Sequence, residues 1–183
     1  GKSPNVVFDD CDFERALIGA LAGIFGATGQ TCIAGSRLLV QRGVYERMVE
    51  GLAARAGQIK MGDPRLPETE MGTAANEPQF NKILSFIEAA KGDGARLVAG
   101  GGRAEGPGLE QGFFIQPTIF ADVRNDMKVA AEEIFGPVLS IIPFTDEEEA
   151  VRIANDTPYG LASGVWSQNI DCCMRMLRAI RSG

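Results

Sequence analysis

Residues 138–181 read VLSIIPFTDEEEAVRIANDTPYGLASGVWSQNIDCCMRMLRAIR, and their pattern indicates the fold class. The apolar run from Val138 to Phe144 predicts a buried strand, and residues 146–155 have apolar side chains at helical spacing. The same order then repeats, with a strand over residues 161–166 and a helix over residues 171–181. Strands that alternate with helices are typical of an α/β protein with a largely parallel sheet.

The alternation extends outward through the rest of the chain. Residues 4–8, 37–41 and 96–99 are predicted strands, and residues 44–59 and 77–91 are predicted helices. Asp12 is a good N-cap for a further helix that runs out near Gly26 and Gly29. Residues 113–120 are strand-like but contain Pro117, which predicts an edge strand or a bulge. Residues 127–133 fit a short helical turn, and the three glycines at 100–102 a flexible turn.

The composition excludes several classes of function. The chain has 183 residues, a formal net charge of −6 and no histidine. It therefore cannot build a Ser-His-Asp triad, a Cys-His pair or a histidine-ligated metal site by itself. The acidic balance argues against a nucleic-acid partner. No apolar run reaches the length of a membrane span, and the cysteine pattern fits free thiols in a reducing compartment, which predicts a cytoplasmic protein.

The segment from Phe25 to Cys32, FGATGQTC, is the sharpest chemical feature. A helix ends in small residues and a cysteine follows, so the thiol can be partly exposed with backbone N–H groups nearby. Such N–H groups would stabilise a thiolate, and an oxyanion formed when the thiolate attacks. The alternative is a buried structural cysteine, which is the commonest environment of a free thiol. Cys11, Cys172 and Cys173 lack this setting and are predicted to be packing residues.

Two further motifs leave alternatives open. Residues 132–137, EEIFGP, are either a solvated loop edge or a carboxylate that holds ribose hydroxyls beside an aromatic ring. Gly1-Lys2-Ser3 is similar to the end of a phosphate-binding loop, but that loop needs a helix directly afterwards. Pro4 and the apolar residues that follow it favour a strand instead.

Five motifs in order resemble the NAD(P)-dependent aldehyde dehydrogenase superfamily over almost the whole chain. They are GKSPN at residues 1–5, F-x-x-x-G-Q-x-C at 25–32, GFFIQPT at 112–118, EEIFGP at 132–137 and NDTPYGLAS at 155–163. The resemblance implies a three-layer α/β catalytic domain, with a largely parallel twisted sheet flanked by helices. It also implies oxidation of an aldehyde to a carboxylic acid with NAD or NADP.

The resemblance assigns roles to six residues. Cys32 would be the nucleophile that forms a thiohemiacetal and then a thioester, with its own N–H as one oxyanion donor. Glu133, Phe135 and, through a looser match, Gln79 would bind the cofactor. Phe25 and Thr31 would border the aldehyde pocket.

The family pattern also contains parts that this sequence lacks. The family's general base is a glutamate in an E-[LM]-G-G-K motif, and this chain opens at the final Gly-Lys. The second oxyanion donor, most of the cofactor-binding domain and the C-terminal segment are absent too. We therefore expect residues 1–183 to be the catalytic domain of a longer homo-oligomeric enzyme that acts on a small-molecule aldehyde, and to be inactive alone. Alternatives are a CoA-acylating or semialdehyde dehydrogenase relative, or a non-catalytic binding protein with the same fold.

Overall fold

The computed structural model describes all residues from 1 to 183. The strands are β1 (Pro4–Val7), β2 (Arg37–Gln41), β3 (Arg96–Ala99), β4 (Thr118–Ala121), β5 (Val138–Phe144) and β6 (Gly164–Trp166). The helices are α1 (Phe13–Phe25), α2 (Tyr45–Ala56), α3 (Glu77–Gly92), α4 (Lys128–Ala131), α5 (Glu147–Asn155) and α6 (Ile170–Ala179). None of these helices has the length and apolar character that a membrane span requires.

The six strands form one sheet in the order β3-β4-β5-β2-β1-β6. Every neighbouring pair is parallel except β3 and β4, which are antiparallel at one edge. The predicted α/β class with a largely parallel sheet is therefore confirmed.

Helices cover both faces of the sheet, so the domain has three layers. One apolar cluster joins alternate strand residues, such as Leu38 and Ile141, to α1 and α2. The other cluster joins the intervening residues, such as Leu39 and Ile142, to helices α3 to α6. The side-chain period of two in a strand puts these neighbours on opposite faces, and both faces are buried.

Side-chain caps begin several of the helices, and the cap predicted at Asp12 is one of them. Asp12 accepts a hydrogen bond from the N–H of Arg15 at the start of α1, and Asp146 accepts one from Glu149 at the start of α5. Asn76 caps α3 in the same way through the N–H of Gln79. Each cap satisfies an N–H that the first helical turn leaves without a partner.

The strand predicted over residues 113–120 is shorter and lies elsewhere in the sheet. β4 begins only at Thr118, after Pro117, because proline has no N–H to donate to a strand ladder. Of the two predicted alternatives the edge strand was wrong, since β4 lies between β3 and β5, while the pairing of β4 with β3 does contain a bulge-like register shift between Leu97 and Ala99. The turn at residues 100–102 packs against this point, and a Cβ on Gly100 would lie 2.3 Å from the carbonyl oxygen of Pro117.

Several other boundaries differ from the predictions, and the helical turn predicted over residues 127–133 is the shorter α4, Lys128–Ala131. β6 begins at Gly164 rather than at residue 161, α2 ends at Ala56 rather than at 59, and α6 ends at Ala179. Terminal residues of such elements depend on contacts that periodicity does not report.

Candidate functional site

Three segments with predicted chemistry meet at the amino ends of three neighbouring strands. Gly1 to Ser3 lead into β1, the segment 25–36 leads into β2, and residues 132–137 lead into β5. Because β5, β2 and β1 are adjacent and parallel, their amino ends lie side by side. The topology therefore brings Cys32 close to Glu133 and Phe135, although about 100 residues of sequence separate them.

The loop before Cys32 has an unusual backbone. Ala27, Thr28 and Gly29 are consecutive residues in the left-handed region, with φ of 50°, 57° and 67°. Gly26, the other glycine of this segment, has a φ of −52° and lies outside the left-handed region. Alanine and threonine adopt such a φ only where surrounding contacts fix it, at a cost of about 1–2 kcal/mol each.

Gly29 joins this loop to the segment that carries Glu133. A Cβ on Gly29 would lie 2.1 Å from the carbonyl oxygen of Gly136 and 2.9 Å from the backbone nitrogen of Pro137. No side chain fits there, so the two backbones are in direct contact at this point. Glycine at position 29 is required both for its φ and for this close approach.

Cys32 is exposed, in a turn closed by a hydrogen bond from the N–H of Ala34 to the carbonyl oxygen of Thr31. The N–H of Cys32 donates to no backbone carbonyl. An exposed thiol beside an unengaged N–H is the arrangement that an oxyanion on an attacked carbon needs.

The other three cysteines have different surroundings. Cys11 and Cys172 are buried and Cys173 is half-buried. Burial raises the pKa of the Cys11 thiol, and it raises the pKa of Cys172 to about 11, with help from the Glu147 carboxylate. Both shifts disfavour the thiolate, which is the reactive form.

Gly1 lies between Cys32 and Glu133. A Cβ on Gly1 would lie 2.9 Å from the carbonyl oxygen of Cys32. Gly1, Thr31, Glu133 and Phe135 line one small cleft. The Glu133 side chain is 34% exposed, so its carboxylate can accept hydrogen bonds from a ligand.

Phe135 has a φ of 60°, which is rare for a bulky residue. Gln79, in the first turn of α3, holds this segment by donating to the carbonyl oxygens of Ile134 and Phe135, each at 2.8 Å. The N–H of Glu133 donates to the Tyr159 hydroxyl at 3.3 Å. Because both N–H groups of the Gln79 side-chain amide donate to carbonyl oxygens of the chain, a ligand could form a hydrogen bond only to the amide oxygen.

The residues predicted to border the aldehyde pocket lie in different grooves. Thr31 lines a groove of about 500 Å³ together with Ile33, Ser3 and Asn5. Phe25 is almost fully buried and instead lines a groove of about 610 Å³. The grooves are adjacent, since Ala22 and Gly26 line both.

Two buried cations stabilise the backbone behind the site. Lys2 is 1% exposed and its Nζ donates to the carbonyl oxygen of Val129 at 2.8 Å. Arg37 is fully buried and donates to the carbonyl oxygens of Lys2, Ile153 and Ala154, each at 2.9 Å. Burial, and then the nearby Arg37 charge, lower the pKa of Lys2 to about 7. These contacts tie the residue after Gly1 to the helix that precedes Glu133.

Sequence reasoning assigned no role to Gln30 or Lys2, although both stand inside the motifs it quoted. Gln30 forms hydrogen bonds with the segment 73–75, and Lys2 donates a hydrogen bond to Val129. Neither partner could be found from local spacing, because Thr73 is 43 positions from Gln30 and Val129 is 127 positions from Lys2.

The chain matches one family model and several known proteins over its whole length. A family model described as "Aldehyde dehydrogenase family" matches residues 1–183. Betaine aldehyde dehydrogenase of Brucella anthropi is 48% identical over 183 residues, which are 100% of this chain and 38% of that protein. The chain thus spans a little over a third of the length of this relative.

Two solved structures have the same fold as this chain. A point mutant of betaine aldehyde dehydrogenase from Staphylococcus aureus, in complex with NAD⁺ and with a BME-modified cysteine, is 39% identical with a TM-score of 0.98. The match covers 100% of this chain and 37% of that one. HpcC from Thermus thermophilus is 45% identical with a TM-score of 0.98, over 100% of this chain and 36% of that one.

Proposed function

The chain belongs to the aldehyde dehydrogenase family, and from that premise we propose that it provides the nucleophile and part of the cofactor site of an aldehyde-oxidising enzyme. The full-length protein would convert an aldehyde to a carboxylic acid with NAD⁺ or NADP⁺. The observation that carries the proposal is the exposed Cys32 thiol, beside its own unengaged N–H and in backbone contact with the Glu133 segment through Gly29.

Cys32 would act as the covalent catalyst. Its thiolate attacks the aldehyde carbon, a C–S bond forms, and the carbonyl electron pair moves to the oxygen, where the Cys32 N–H can donate to it. A nicotinamide cofactor would supply the acceptor for the hydride of that carbon, so that the C–H bond breaks, the C=O bond re-forms and a thioester is left on Cys32. The thioester that is left on Cys32 is then cleaved by water, which releases the carboxylic acid and restores the thiol.

Glu133 and Phe135 are proposed to hold that cofactor. A half-exposed carboxylate can accept hydrogen bonds from ribose hydroxyls, and the aromatic ring beside it offers an apolar surface. Gln79 holds the backbone at Ile134 and Phe135, and Gly29 contacts it at Gly136, so the segment that directly follows Glu133 has a fixed position. The chemistry of the donor set fits a dinucleotide ribose.

The wider assignment concerns the full-length protein. We propose that it works on a small-molecule aldehyde as a cytoplasmic homo-oligomer, and that residues 1–183 form its catalytic domain. Betaine aldehyde is the first substrate to test, because the Brucella anthropi and Staphylococcus aureus relatives carry that name. The general base and the second oxyanion donor are proposed to lie outside this chain.

The experiment compares the full-length protein with its Cys32→Ala variant in an aldehyde panel, following reduction of NAD⁺ and of NADP⁺ by absorbance. Loss of the nucleophile should lower kcat by a factor on the order of 10³ or more. Cys173→Ala is the matched control and should keep its activity, since that thiol lies on α6 away from the site. Full activity in Cys32→Ala would refute the proposal.

A further inference from the structure

Gln30 uses both ends of its side-chain amide to hold one short segment. Its nitrogen donates to the carbonyl oxygen of Thr73 at 3.2 Å, and its oxygen accepts from the N–H of Ala75 at 2.8 Å. Gln30 is two residues before Cys32 and directly after the left-handed Gly29. The position of the thiol therefore depends on where residues 73–75 lie.

Gln79 makes the corresponding contacts on the other half of the site. It lies four residues after Ala75, in the first turn of α3, and donates to the carbonyl oxygens of Ile134 and Phe135. A left-handed φ at Phe135 costs free energy, and it persists only where neighbouring contacts impose it. Two hydrogen bonds of 2.8 Å from a single amide supply such contacts.

Residues 73–79, which we name the bracket, are themselves well anchored. Ala74 is buried, and its N–H donates to the carbonyl oxygen of Phe113 at 2.9 Å. Asn76 caps α3 through the N–H of Gln79, at 2.9 Å. The bracket is thus fixed in place. Gln30 of the nucleophile loop forms hydrogen bonds to it, and its own Gln79 forms hydrogen bonds to the Glu133 segment.

We propose that Gln30 and Gln79 are positioning residues that set the distance between the Cys32 thiol and the Glu133–Phe135 segment through the bracket. The inference rests on the proposed function, because that distance matters only if Cys32 and Glu133 act on the same bound molecules. Gln79 then contributes to cofactor binding mainly by fixing the residues that contact the cofactor. A shift of about 1 Å in such a site can lower the rate by about 100-fold.

The test uses Gln30→Met, Gln79→Met and the double variant in the full-length protein. Methionine keeps the length of the side chain and removes the hydrogen bonds. Gln79→Met should raise the KM for the nicotinamide cofactor about tenfold with a smaller change in kcat, and Gln30→Met should lower kcat about tenfold. Because both act through one bracket, the double variant should lose less than the product of the two single effects.

Gln30→Glu and Gln79→Glu separate positioning from general loss of structure. A glutamate at position 30 keeps the oxygen that accepts from Ala75, so it should recover part of kcat. A glutamate at position 79 faces two carbonyl oxygens and should be no better than methionine. Gln111→Met, at an exposed glutamine outside the site, is the matched control and should leave all constants unchanged.

Alkylation of Cys32 by iodoacetamide, followed by peptide mass spectrometry, gives a readout that does not depend on activity. Gln79→Met should change the Cys32 rate at least about threefold, although it touches only the other half of the site. An unchanged rate together with multiplicative kinetic effects would overturn the bracket proposal. A wild-type enzyme without Cys32-dependent oxidation would instead refute the proposed function, while the alkylation rates still decide the bracket. If Gln30→Met does not fold, Gln30→Glu and Gln79→Met give the same comparison.

Discussion

Replacing Gly29 by alanine should separate the two halves of the site. The added Cβ would lie 2.1 Å from the carbonyl oxygen and 2.4 Å from the carbonyl carbon of Gly136, and both are backbone atoms. The residue also has a φ of 67°, which a Cβ disfavours. Neither strain can be relieved by turning a side chain.

The magnitude follows from these two terms. A left-handed φ costs about 1–2 kcal/mol for an L-residue, and overpacking a filled site costs about 1–3 kcal/mol. We therefore expect the free energy of unfolding to fall by about 2–5 kcal/mol, against a total of about 5–15 kcal/mol for a typical domain. If the backbones move apart by about 1 Å instead, kcat/KM should fall by about 100-fold.

Urea unfolding, followed by far-UV circular dichroism, measures the first effect, and aldehyde oxidation by the full-length protein measures the second. Gly26→Ala is the matched control, because a Cβ there meets nothing within 4 Å and its φ is −52°. That variant should change stability by no more than about 1 kcal/mol. Gly29→Ala that behaves like Gly26→Ala in both assays would refute the contact between the two segments.

Three other predictions follow from the same residues. The folded pKa of Lys2 is lowered to about 7 from 10.5, so between these values the unfolded chain binds a proton that the folded chain does not. The free energy of unfolding should therefore rise with pH from about 7 to 10.5, by up to about 1.4 kcal/mol per pH unit. Lys2→Met should flatten that slope in urea titrations, and an unchanged slope would count against the buried amine. Limiting iodoacetamide should label Cys32 before any other cysteine and Cys172 last, because burial holds the pKa of Cys172 at about 11; mass spectrometry showing the reverse order would contradict the assignment. Residues 1–183 alone should produce no more aldehyde-dependent NADH than their own Cys32→Ala variant, and clear turnover would show that the base lies within this chain.

Local pattern was sufficient for the elements but not for their arrangement. Asp12 could be predicted as a helix cap because a cap needs only the residues that follow it. The position of β4 between β3 and β5 depends on pairing between residues far apart in sequence, and period-two alternation carries no information about which strand is the neighbour.

In the site, too, local sequence indicates some residues, and contacts between distant residues determine the rest. Cys32 could be singled out from the small residues around it, and the topology brings its loop to the Glu133 segment, while the catalytic and binding roles remain proposals. The left-handed φ of Ala27 and Thr28 could not be predicted, because glycine is the residue that normally adopts it. Lys2 next to a glycine gave no sign of burial, since its partner Val129 is 127 positions away.

Trapping the covalent enzyme tests the role of Cys32 most directly. The full-length protein is mixed with aldehyde and NAD⁺ or NADP⁺, quenched in acid within the first turnover and digested for peptide mass spectrometry. An acyl group should appear on the peptide that contains Cys32, and it should be absent without cofactor and absent in Cys32→Ala. An acyl group on another cysteine, or turnover with none on any cysteine, would contradict that role.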